Sequence, residues 1–317
     1  MTQIYTYGSY LKKKFGAKVY KVGINISGFT CPNIDGTVAK GGCTFCENDS
    51  FSASIDEVQE LKGFHLNLDS KENPFLEKQL LQLEQQFLAI SARQKEEYGA
   101  EKFLVYFQSF TNTYAPFDTL KALYEKALSF EDVVGISVGT RTDSITDETL
   151  EYLLDLSKKT EVWIEYGIQT SNDETYKKIN RGHDFANVVD TINKTKNLGL
   201  NVCGHLIYGL PGESRKDWEK TFIDTIKLNI DSIKFHPMYV TKNTLLAKDY
   251  EEGRFIPISE EDYIDILVWS IKNLPDNVSI QRMTAGIDNL LAPEWCRDKS
   301  IQMSHIIKKL KENGIKV

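Results

Sequence analysis

The sequence has little of what marks membrane, secreted or disulfide-rich proteins. In its 317 residues no apolar run reaches the roughly 18 residues that cross a bilayer. The polar start of the chain, residues 1–6, lacks the charged-then-apolar order of a signal peptide. The five cysteines are few and odd in number, which does not suit a disulfide framework in a chain of this size. These absences predict a cytoplasmic protein with no membrane contact and no structural disulfides.

Short apolar segments alternate with helix-like segments along most of the chain. This alternation is typical of parallel strands joined by covering helices. Seven strands are predicted, at residues 19–26, 103–108, 133–138, 162–169, 202–208, 232–236 and 279–283. Seven is one fewer than a closed eight-stranded barrel. The expected fold is therefore an α/β protein with a partial (β/α) barrel of about six to seven parallel strands.

The sequence shows no internal boundary that would divide it into independent domains. Internal repeats, low-complexity tracts and linkers rich in proline or serine are all missing. Residues 1–290 are therefore predicted to form the barrel with its basic N-terminal segment. Residues 291–317 are predicted to form a helical tail packed on the barrel.

Three of the cysteines lie close together, directly after the first predicted strand. They occur within sixteen residues, from Cys31 to Cys46, in a loop rich in glycine. Functional groups of a barrel collect at the carboxyl ends of its strands, where this loop begins. Thiolates are the usual ligands of iron–sulfur clusters, and glycine lets the backbone approach the inorganic sulfurs. Loop 27–50 is therefore predicted to hold a 4Fe-4S cluster through Cys31, Cys43 and Cys46, with one iron left open.

Zinc is the alternative occupant of this loop. Cys43 and Cys46 form a Cys-x-x-Cys pair, which is half of a common zinc site, and zinc prefers four closed ligands. The nearest following histidine is His65, nineteen residues after Cys46, and no second pair completes a standard spacing. Three structural thiols are a further alternative, although inert cysteines tend to be buried and this loop is polar. Cys203 and Cys296 are interpreted as packing residues.

Charge is unevenly distributed along the chain. The net charge is −7, yet the first 34 residues hold five lysines and no acidic residue. Aromatic residues alternate with these lysines, so the segment could contact both the phosphates and the bases of a nucleic acid. Lys12, Lys13 and Lys14 are therefore candidate RNA-binding residues. A solvated arm ahead of the first strand is the alternative.

Several short runs follow the predicted strands in a specific order. They are Phe45 within Cys43-Thr-Phe-Cys46, Thr140-Arg-Thr-Asp143, Trp163 to Thr170, Asn180-Arg-Gly-His183 and His205 to Glu213. With the cysteine loop, these runs resemble the radical S-adenosylmethionine (SAM) superfamily. The resemblance is greatest to the YtqA/YhcC-type family, which is related to the Elongator catalytic subunit, and it covers about residues 1–290.

The resemblance implies a barrel of the radical SAM type with a 4Fe-4S cluster and SAM as cofactors. SAM would chelate the open iron through its amine and carboxylate. One electron from the reduced cluster would then cleave its sulfur–C5′ bond and produce a 5′-deoxyadenosyl radical. A reducing electron donor of the flavodoxin or ferredoxin type is therefore an expected partner, while protein groups orient the cofactor.

The resemblance also implies which residues surround SAM. The residues expected to bind the cofactor are Phe45, Gln108, Ser109, Asp143, Glu165, Gln169, Arg181 and His205. Gln108 and Ser109 depart from the Gly-Gly-Glu or Gly-Gly-Thr that is usual after strand two, so their assignment depends on position and on their acceptor oxygens. Gln169 would hydrogen-bond SAM and Arg181 would pair with its carboxylate. A polar strand cap and a surface arginine are the alternatives for these two.

Two further positions, His205 and Glu165, are expected in the barrel interior. His205 stands where some relatives have an acid for the ribose hydroxyls, and a neutral imidazole can accept one such bond. A satisfied barrel residue is the alternative for it. Glu165 points the same way as Gln169 in a regular strand and is expected inside the barrel. Weaker candidates on the same geometric ground are Arg141, His236 and Arg282.

The resemblance to the Elongator subunit and the basic N-terminal segment together favour tRNA as the partner. The expected reaction changes the C5 substituent of a wobble uridine from a 5-carboxymethylaminomethyl to an aminomethyl group, on a splayed-out anticodon base. One alternative is a radical SAM enzyme for a small molecule such as a porphyrin. An alternative of another class is a zinc-containing RNA-binding module without catalysis.

Overall fold

Seven parallel strands form the central sheet in the computed structural model, which describes residues 2–47, 61 and 63–316. Its strands are β2 (Val19–Ile24), β3 (Lys102–Phe107), β4 (Val133–Thr140), β5 (Glu161–Gln169), β6 (Asn201–Tyr208), β7 (Ser232–Pro237) and β9 (Ser279–Arg282). Two short pairs lie outside the sheet: β1 (Thr2–Gln3) with β11 (Ile315–Lys316), and β8 (Val240–Thr241) with β10 (Leu290–Ala292). Each strand of this sheet lies beside the sheet strand that comes next along the chain, which is the order that consecutive strand–helix–strand connections produce.

The sheet curls into a half-barrel, so the predicted α/β partial barrel is confirmed. All seven predicted strands are present, and their ends differ from the predictions by at most two residues. β3 shows why the strands could be recognised: its residues from Phe103 to Phe107 are all buried. A strand covered by helices on one face and by the barrel interior on the other needs apolar residues throughout.

Ten α-helices lie around the sheet in the described part of the chain. They are α1 (Tyr7–Phe15), α2 (Leu76–Tyr98), α3 (Phe117–Leu128), α4 (Asp147–Ser157), α5 (Asp173–Lys178), α6 (Phe185–Asn197), α7 (Arg215–Ile226), α8 (Leu245–Glu251), α9 (Glu260–Lys272) and α10 (Lys299–Glu312). In α2, Leu83 and Phe87 are buried in the core cluster that the sheet residues also form. Among the described residues, every helix is too short or too polar to span a membrane.

The N-terminal segment is a packed helix and not a solvated arm. Tyr7 and Leu11 of α1 pack with Leu104, Trp163 and Cys203, which point into the barrel near the amino ends of their strands. The ring centroids of Tyr7 and Trp163 are 5.0 Å apart in an edge-to-face arrangement. Helix α1 therefore closes the end of the barrel opposite the cysteine loop.

The C-terminal part contains the predicted helix, α10, which contacts α9. Strand β11 behind it pairs with β1, so the two ends of the chain meet at one edge of the molecule. Cys296 is buried with Tyr239 and Ala285. The division of the chain at residue 290 stays a prediction.

Candidate active site

A cavity of about 380 Å³ opens at the carboxyl ends of the barrel strands. The cysteine loop and the ends of β7 and β9 all contribute residues to its lining. The predicted site residues that line the cavity are Cys31, Cys43, Phe45, Cys46, Gln108, Glu165, Gln169, Arg181 and His205. Three weaker candidates, Arg141, His236 and Arg282, line it as well. Ser109 and Asp143 lie behind the lining, and residues 48–50 of the predicted cluster loop are outside the described residues.

Hydrogen-bond donors point at two of the three clustered sulfurs. The hydroxyl of Thr111 donates to Sγ of Cys31 at 3.0 Å, and Nδ2 of Asn33 donates to Sγ of Cys43 at 3.2 Å. One guanidinium nitrogen of Arg181 lies 3.7 Å from the same Cys43 sulfur. Donors of this kind stabilise the negative charge of thiolate ligands on an iron–sulfur cluster.

Burial affects the protonation of two of the cysteine thiols, those of Cys31 and Cys46. It raises the pKa of Cys31 to about 11, and it also raises the pKa of Cys46. A thiol with so high a pKa is a poor nucleophile by itself, whereas a coordinated metal ion deprotonates it outright. Cys31 and Cys46 are therefore suited to metal ligation and not to nucleophilic catalysis.

Asparagine side chains hold the cysteine loop against the chain that follows β5. Nδ2 of Asn180 donates to the carbonyls of Lys40 and Gly42, at 2.8 Å in both cases. Nδ2 of Asn33 donates to the carbonyl of Asn180 at 3.0 Å. Gly42 has a φ of 75°, which a residue with a Cβ rarely adopts, and it sets the turn just before Cys43. The loop is thereby connected to the run Asn180-Arg-Gly-His183.

Three buried glutamines of α2 hold the chain that leads into the loop. Nε2 of Gln79 donates to the carbonyl of Ser27 at 2.7 Å, and Nε2 of Gln82 donates to the Ser27 hydroxyl at 2.9 Å. Gln86 makes two bonds with the backbone of Asn25, through its oxygen and through its nitrogen. Their spacing of three and four residues places the glutamines on one face of the helix. They fix the direction in which the chain leaves β2 toward Cys31.

Arg141 and Asp143 form a buried ion pair beside the cavity. Nε and one terminal nitrogen of Arg141 contact the two carboxylate oxygens of Asp143 at 2.8 and 2.6 Å. His183 contacts the same carboxylate at 3.0 Å, and these partners hold the pKa of Asp143 well below its usual range despite burial. Asp143 therefore orients Arg141, and its direct contact with a cofactor stays a prediction.

Several buried polar atoms near the cavity have no partner among the described residues. They include Nε of Arg181, one terminal nitrogen of Arg141 and the hydroxyl of Ser109. An unpaired buried donor costs free energy, so such groups commonly mark a ligand site. Because these atoms lie beside the cysteine loop, the residues present fit a polar cofactor bound next to a cluster.

At the end of β5, the side chains of Gln169 and Arg181 lie very close to the backbone of Gly167. A Cβ at Gly167 would lie 2.7 Å from Nε2 of Gln169 and 3.1 Å from a terminal nitrogen of Arg181. Gln169 itself has a φ of 69°, a strained value for a residue other than glycine. The register of β5 against β6 shifts at this point, which aims the Gln169 side chain into the cavity.

Glu165 is the centre of a buried network at the floor of the cavity. Its carboxylate accepts from Lys21, Lys234 and His205, the last at 2.7 Å, and from the Ser137 hydroxyl at 2.5 Å. Although burial opposes ionisation, the two lysines hold the pKa of Glu165 well below its usual value. Lys21, one of the N-terminal lysines, is thus an interior residue and is not available to RNA.

The ionised carboxylate determines the tautomer of His205. Burial lowers the pKa of His205 to about 4, so the imidazole is neutral near pH 7. Its Nε2 faces the anionic Glu165 and must therefore carry the proton. This leaves Nδ1 as a hydrogen-bond acceptor on a ring that lines the cavity.

Sequence reasoning missed the residues that support the cluster loop. Asn33 lies in the cysteine loop, and Asn180 lies in the run Asn180-Arg-Gly-His183. A polar side chain without an evident role in each of these two segments was the signal that could have identified them. Thr111 and the glutamines of α2 had no such signal, because their partners are remote in the chain.

Comparison with known proteins identifies the family. The model of the radical SAM superfamily matches residues 35–224, and that of the radical SAM C-terminal domain matches residues 230–312. The chain belongs to the radical SAM superfamily. It is 36% identical to YhcC of Escherichia coli over 312 residues, which cover 98% of this chain and 93% of that protein. YtqA of Bacillus subtilis is also 36% identical, with 98% of this chain and 90% of that protein covered.

More distant radical SAM relatives are named as tRNA enzymes. The tRNA uridine(34) acetyltransferase of Methanocaldococcus jannaschii is 26% identical over 186 residues, which cover 58% of this chain and 34% of that protein. The solved structure of Elp3 from Methanocaldococcus infernus superposes with a TM-score of 0.63 at 18% identity, covering 94% of this chain and 64% of that chain. The latter similarity demonstrates a shared fold.

Family membership confirms the resemblance and the cofactors that it implied. Radical SAM enzymes use a 4Fe-4S cluster and SAM, and the protein is a radical SAM enzyme. The zinc alternative gains no support from the described residues, because His65 is exposed and does not line the cavity.

Proposed function

We propose that the protein cleaves SAM reductively at a 4Fe-4S cluster held by Cys31, Cys43 and Cys46, and that it modifies the wobble uridine of tRNA. The observation that carries the proposal is the cysteine loop itself. Its sulfurs receive hydrogen bonds from Thr111 and Asn33, and it forms one wall of a cavity of about 380 Å³. Three ligands and an adjacent cavity suit a cluster that binds a second molecule at its open iron.

Four residues in or beside the cavity lining have proposed roles in binding the methionine part of SAM. When bound, cluster and SAM together supply a 5′-deoxyadenosyl radical that removes a hydrogen atom from the substrate. The unpaired Nε of Arg181 donates to the SAM carboxylate, and Gln108 with the Ser109 hydroxyl accepts from its ammonium group. Gln169 supplies a further hydrogen bond. These contacts fix the orientation of SAM beside the cluster.

Two residues are proposed to bind the nucleoside part of SAM. Nδ1 of His205 accepts a hydrogen bond from a ribose hydroxyl, since Glu165 holds the proton on the other ring nitrogen. Phe45 is buried at the cavity wall and excludes water there. A dry cavity protects a radical from side reactions.

The tRNA substrate is supported by the relatives that are named tRNA uridine(34) acetyltransferases. The proposed reaction converts a 5-carboxymethylaminomethyl group at C5 of the wobble uridine to an aminomethyl group. SAM would act as the two-electron oxidant of the N–CH2 group and yield methionine and 5′-deoxyadenosine, and water would then cleave the N–C bond and release the two-carbon fragment as glyoxylate. Lys12 and Lys13 are exposed and remain proposed RNA contacts, whereas Lys14 pairs with Glu161 at 2.5 Å. All three lysines lie on α1, at the end of the barrel remote from the cavity, so they would contact tRNA away from the modified base.

The test is an anaerobic assay on protein reconstituted with iron and sulfide. We would reduce the protein with dithionite and measure 5′-deoxyadenosine formed from SAM, with and without tRNA that carries 5-carboxymethylaminomethyluridine. Cys43→Ala is the variant that removes the cluster, and Cys203→Ala is its matched control, because Cys203 is buried in the α1 cluster.

Each outcome of this assay has a definite meaning. Formation of 5′-deoxyadenosine that the tRNA stimulates, together with loss of the carboxymethyl group from the nucleoside, supports both parts of the proposal. Formation without stimulation keeps SAM cleavage and points to a small-molecule substrate. No formation by protein with an intact cluster contradicts the proposal.

A further inference from the structure

The part of the cavity lining that comes from β7 and β9 carries a histidine and an arginine, His236 and Arg282, in place of thiols. His236 lies on β7, and Arg282 is the last residue of β9. The two strands are neighbours, with Lys234 opposite Arg282 in the register. Both side chains line the same cavity as Cys31, Cys43 and Cys46.

Arg282 has no anionic partner in the part of the chain that the structure describes. The other arginines of the cavity are engaged: Arg141 pairs with Asp143, and Arg181 donates to the Gly167 carbonyl at 2.7 Å. The side chain of Arg282 makes neither an ion pair nor a hydrogen bond with a described residue. A guanidinium without a partner at the wall of a cavity is therefore free to bind an anion from outside.

The groups near Arg282 cannot neutralise its charge. The titratable groups that its charge reaches include Tyr106, His205 and Lys234, none of which is an anion. Burial holds Tyr106 neutral by raising its pKa well above the usual value. The nearby carboxylate of Glu165 already accepts from two lysines, a histidine and a serine, so it has no capacity left for Arg282.

His236 adds a neutral donor beside this cation. Burial and the Arg282 charge hold the pKa of His236 well below its usual range, so the ring is uncharged near pH 7. Within the described residues neither ring nitrogen has a hydrogen-bond partner. Its ring centroid lies 6.1 Å from that of His205. A neutral imidazole can donate one N–H bond to an oxyanion that the guanidinium attracts.

We propose that Arg282 and His236, at the ends of β9 and β7, form an oxyanion subsite that binds the carboxylate of the substrate in the cavity that the cluster loop also lines. This inference rests on the proposed function, because a 5-carboxymethylaminomethyl substituent carries a carboxylate close to the carbon that reacts. The guanidinium fork matches a planar carboxylate with two parallel hydrogen bonds. A phosphate of the nucleotide offers the same oxyanion chemistry and is the second source that the test separates.

The test measures binding of defined nucleosides to the reconstituted protein by calorimetry. The ligands are 5-carboxymethylaminomethyluridine, 5-aminomethyluridine, which lacks the carboxylate, and uridine 5′-monophosphate. The variants are Arg282→Gln, Arg282→Lys and His236→Leu. Arg254→Gln is the matched control, because Arg254 is exposed and pairs with Asp249 and Glu252 away from the cavity. Circular dichroism and iron content verify that each variant is folded and loaded.

Arg282→Gln is expected to weaken binding of the carboxylate nucleoside by about tenfold to hundredfold, as loss of a charged hydrogen bond predicts. It should leave 5-aminomethyluridine unaffected, and Arg282→Lys should restore part of the affinity. Weakening confined to uridine 5′-monophosphate would assign the subsite to phosphate and overturn the carboxylate assignment. Unchanged affinity for every ligand in Arg282→Gln would overturn the subsite altogether.

The subsite and the proposed function can fail separately. If wild-type protein converts the tRNA and Arg282→Gln does so with unchanged KM and kcat, the subsite is wrong and the proposed function stands. If wild-type protein fails to convert the tRNA in the reductive assay but binds succinate in a manner that depends on Arg282, the subsite stands. The tRNA substrate is then wrong.

Discussion

The guanidinium of Arg181 lies 3.7 Å from the sulfur of Cys43, although 138 residues separate the two in the chain. The same side chain donates to the carbonyl of Gly167 at 2.7 Å and so connects the cysteine loop to the end of β5. A cation beside a ligand sulfur compensates the negative charge of a thiolate-bound cluster. Arg181 thus belongs both to the proposed cluster site and to the proposed SAM site.

Replacing Arg181 tests this double role. Arg181→Gln is expected to weaken iron retention and SAM binding by about tenfold to hundredfold, as loss of an outer-shell partner does at other metal sites. Iron and sulfide retained after gel filtration, and SAM affinity by equilibrium dialysis, are the measurements. Arg215→Gln is the control, since Arg215 pairs with Glu219 on the surface of α7. Equal iron content and SAM affinity in both variants would contradict the assignment.

We expect the cysteines to divide into cluster ligands and packing residues. Cys43→Ala should reduce the iron content well below the value of about four per chain expected for a 4Fe-4S cluster. Cys203→Ala removes a buried sulfur from the cluster of side chains around Trp163 and should keep its iron. Iron and acid-labile sulfide analysis after reconstitution separates them. One zinc per chain without sulfide would refute the cluster.

The carboxylate of Glu165 is expected to be essential for stability. Glu165→Gln leaves Lys21 and Lys234 without their buried partner, which should lower the free energy of unfolding by about 3–5 kcal/mol. Asp132→Asn breaks the exposed pair with Lys95 and should cost at most about 1 kcal/mol. Urea unfolding of both variants measures the difference. A similar small loss in each would show that the Glu165 network contributes little.

Stability should fall as the pH drops from about 6.5 toward 4. Burial lowers the pKa of His183 and of His205 to about 4, from the 6.5 of an ordinary histidine. Within this window the unfolded chain binds protons that the folded protein does not, and the folded state therefore loses stability. Glu165 adds to the loss only below its own unfolded pKa of 4.5, because its folded pKa is lower still.

Histidine substitutions check the origin of this pH effect. Urea unfolding at about pH 7, 5.5 and 4.5 should show a smaller loss for His205→Gln than for wild type, since one depressed titration is removed. His65→Gln replaces an exposed histidine and should leave the profile unchanged. Identical profiles for all three proteins would remove His205 from this account.

The basic helix α1 makes a separate prediction about RNA. Lys12→Ala with Lys13→Ala should weaken tRNA binding and flatten its salt dependence by about two units of log–log slope, while SAM cleavage survives. Lys14 is left intact because it pairs with Glu161. Lys158→Ala with Lys159→Ala, a second exposed lysine pair, is the matched control. Filter binding at several salt concentrations gives the slopes, and equal slopes would exclude α1 from the RNA contact.

The family, the seven strands and the general position of the cavity were predictable from the sequence, while the three cluster ligands stay a prediction. Each depends on information that is local in the chain: the spacing of Cys31, Cys43 and Cys46, and apolar runs such as Phe103 to Phe107. Parallel topology then places the loops after the strands at one end of the barrel. The shared cavity of Gln108, Gln169 and His205 follows from that geometry.

Only the tertiary structure decided which polar groups are paired. Lys21 reads as one of five basic N-terminal residues, yet it lies inside the barrel against Glu165, while Lys12 and Lys13 are exposed. Arg141 and Arg282 look alike in the sequence, but the first is held by Asp143 and the second has no partner among the described residues. The physical reason is that charges interact over a few ångströms, so pairing depends on distances between residues remote in the chain.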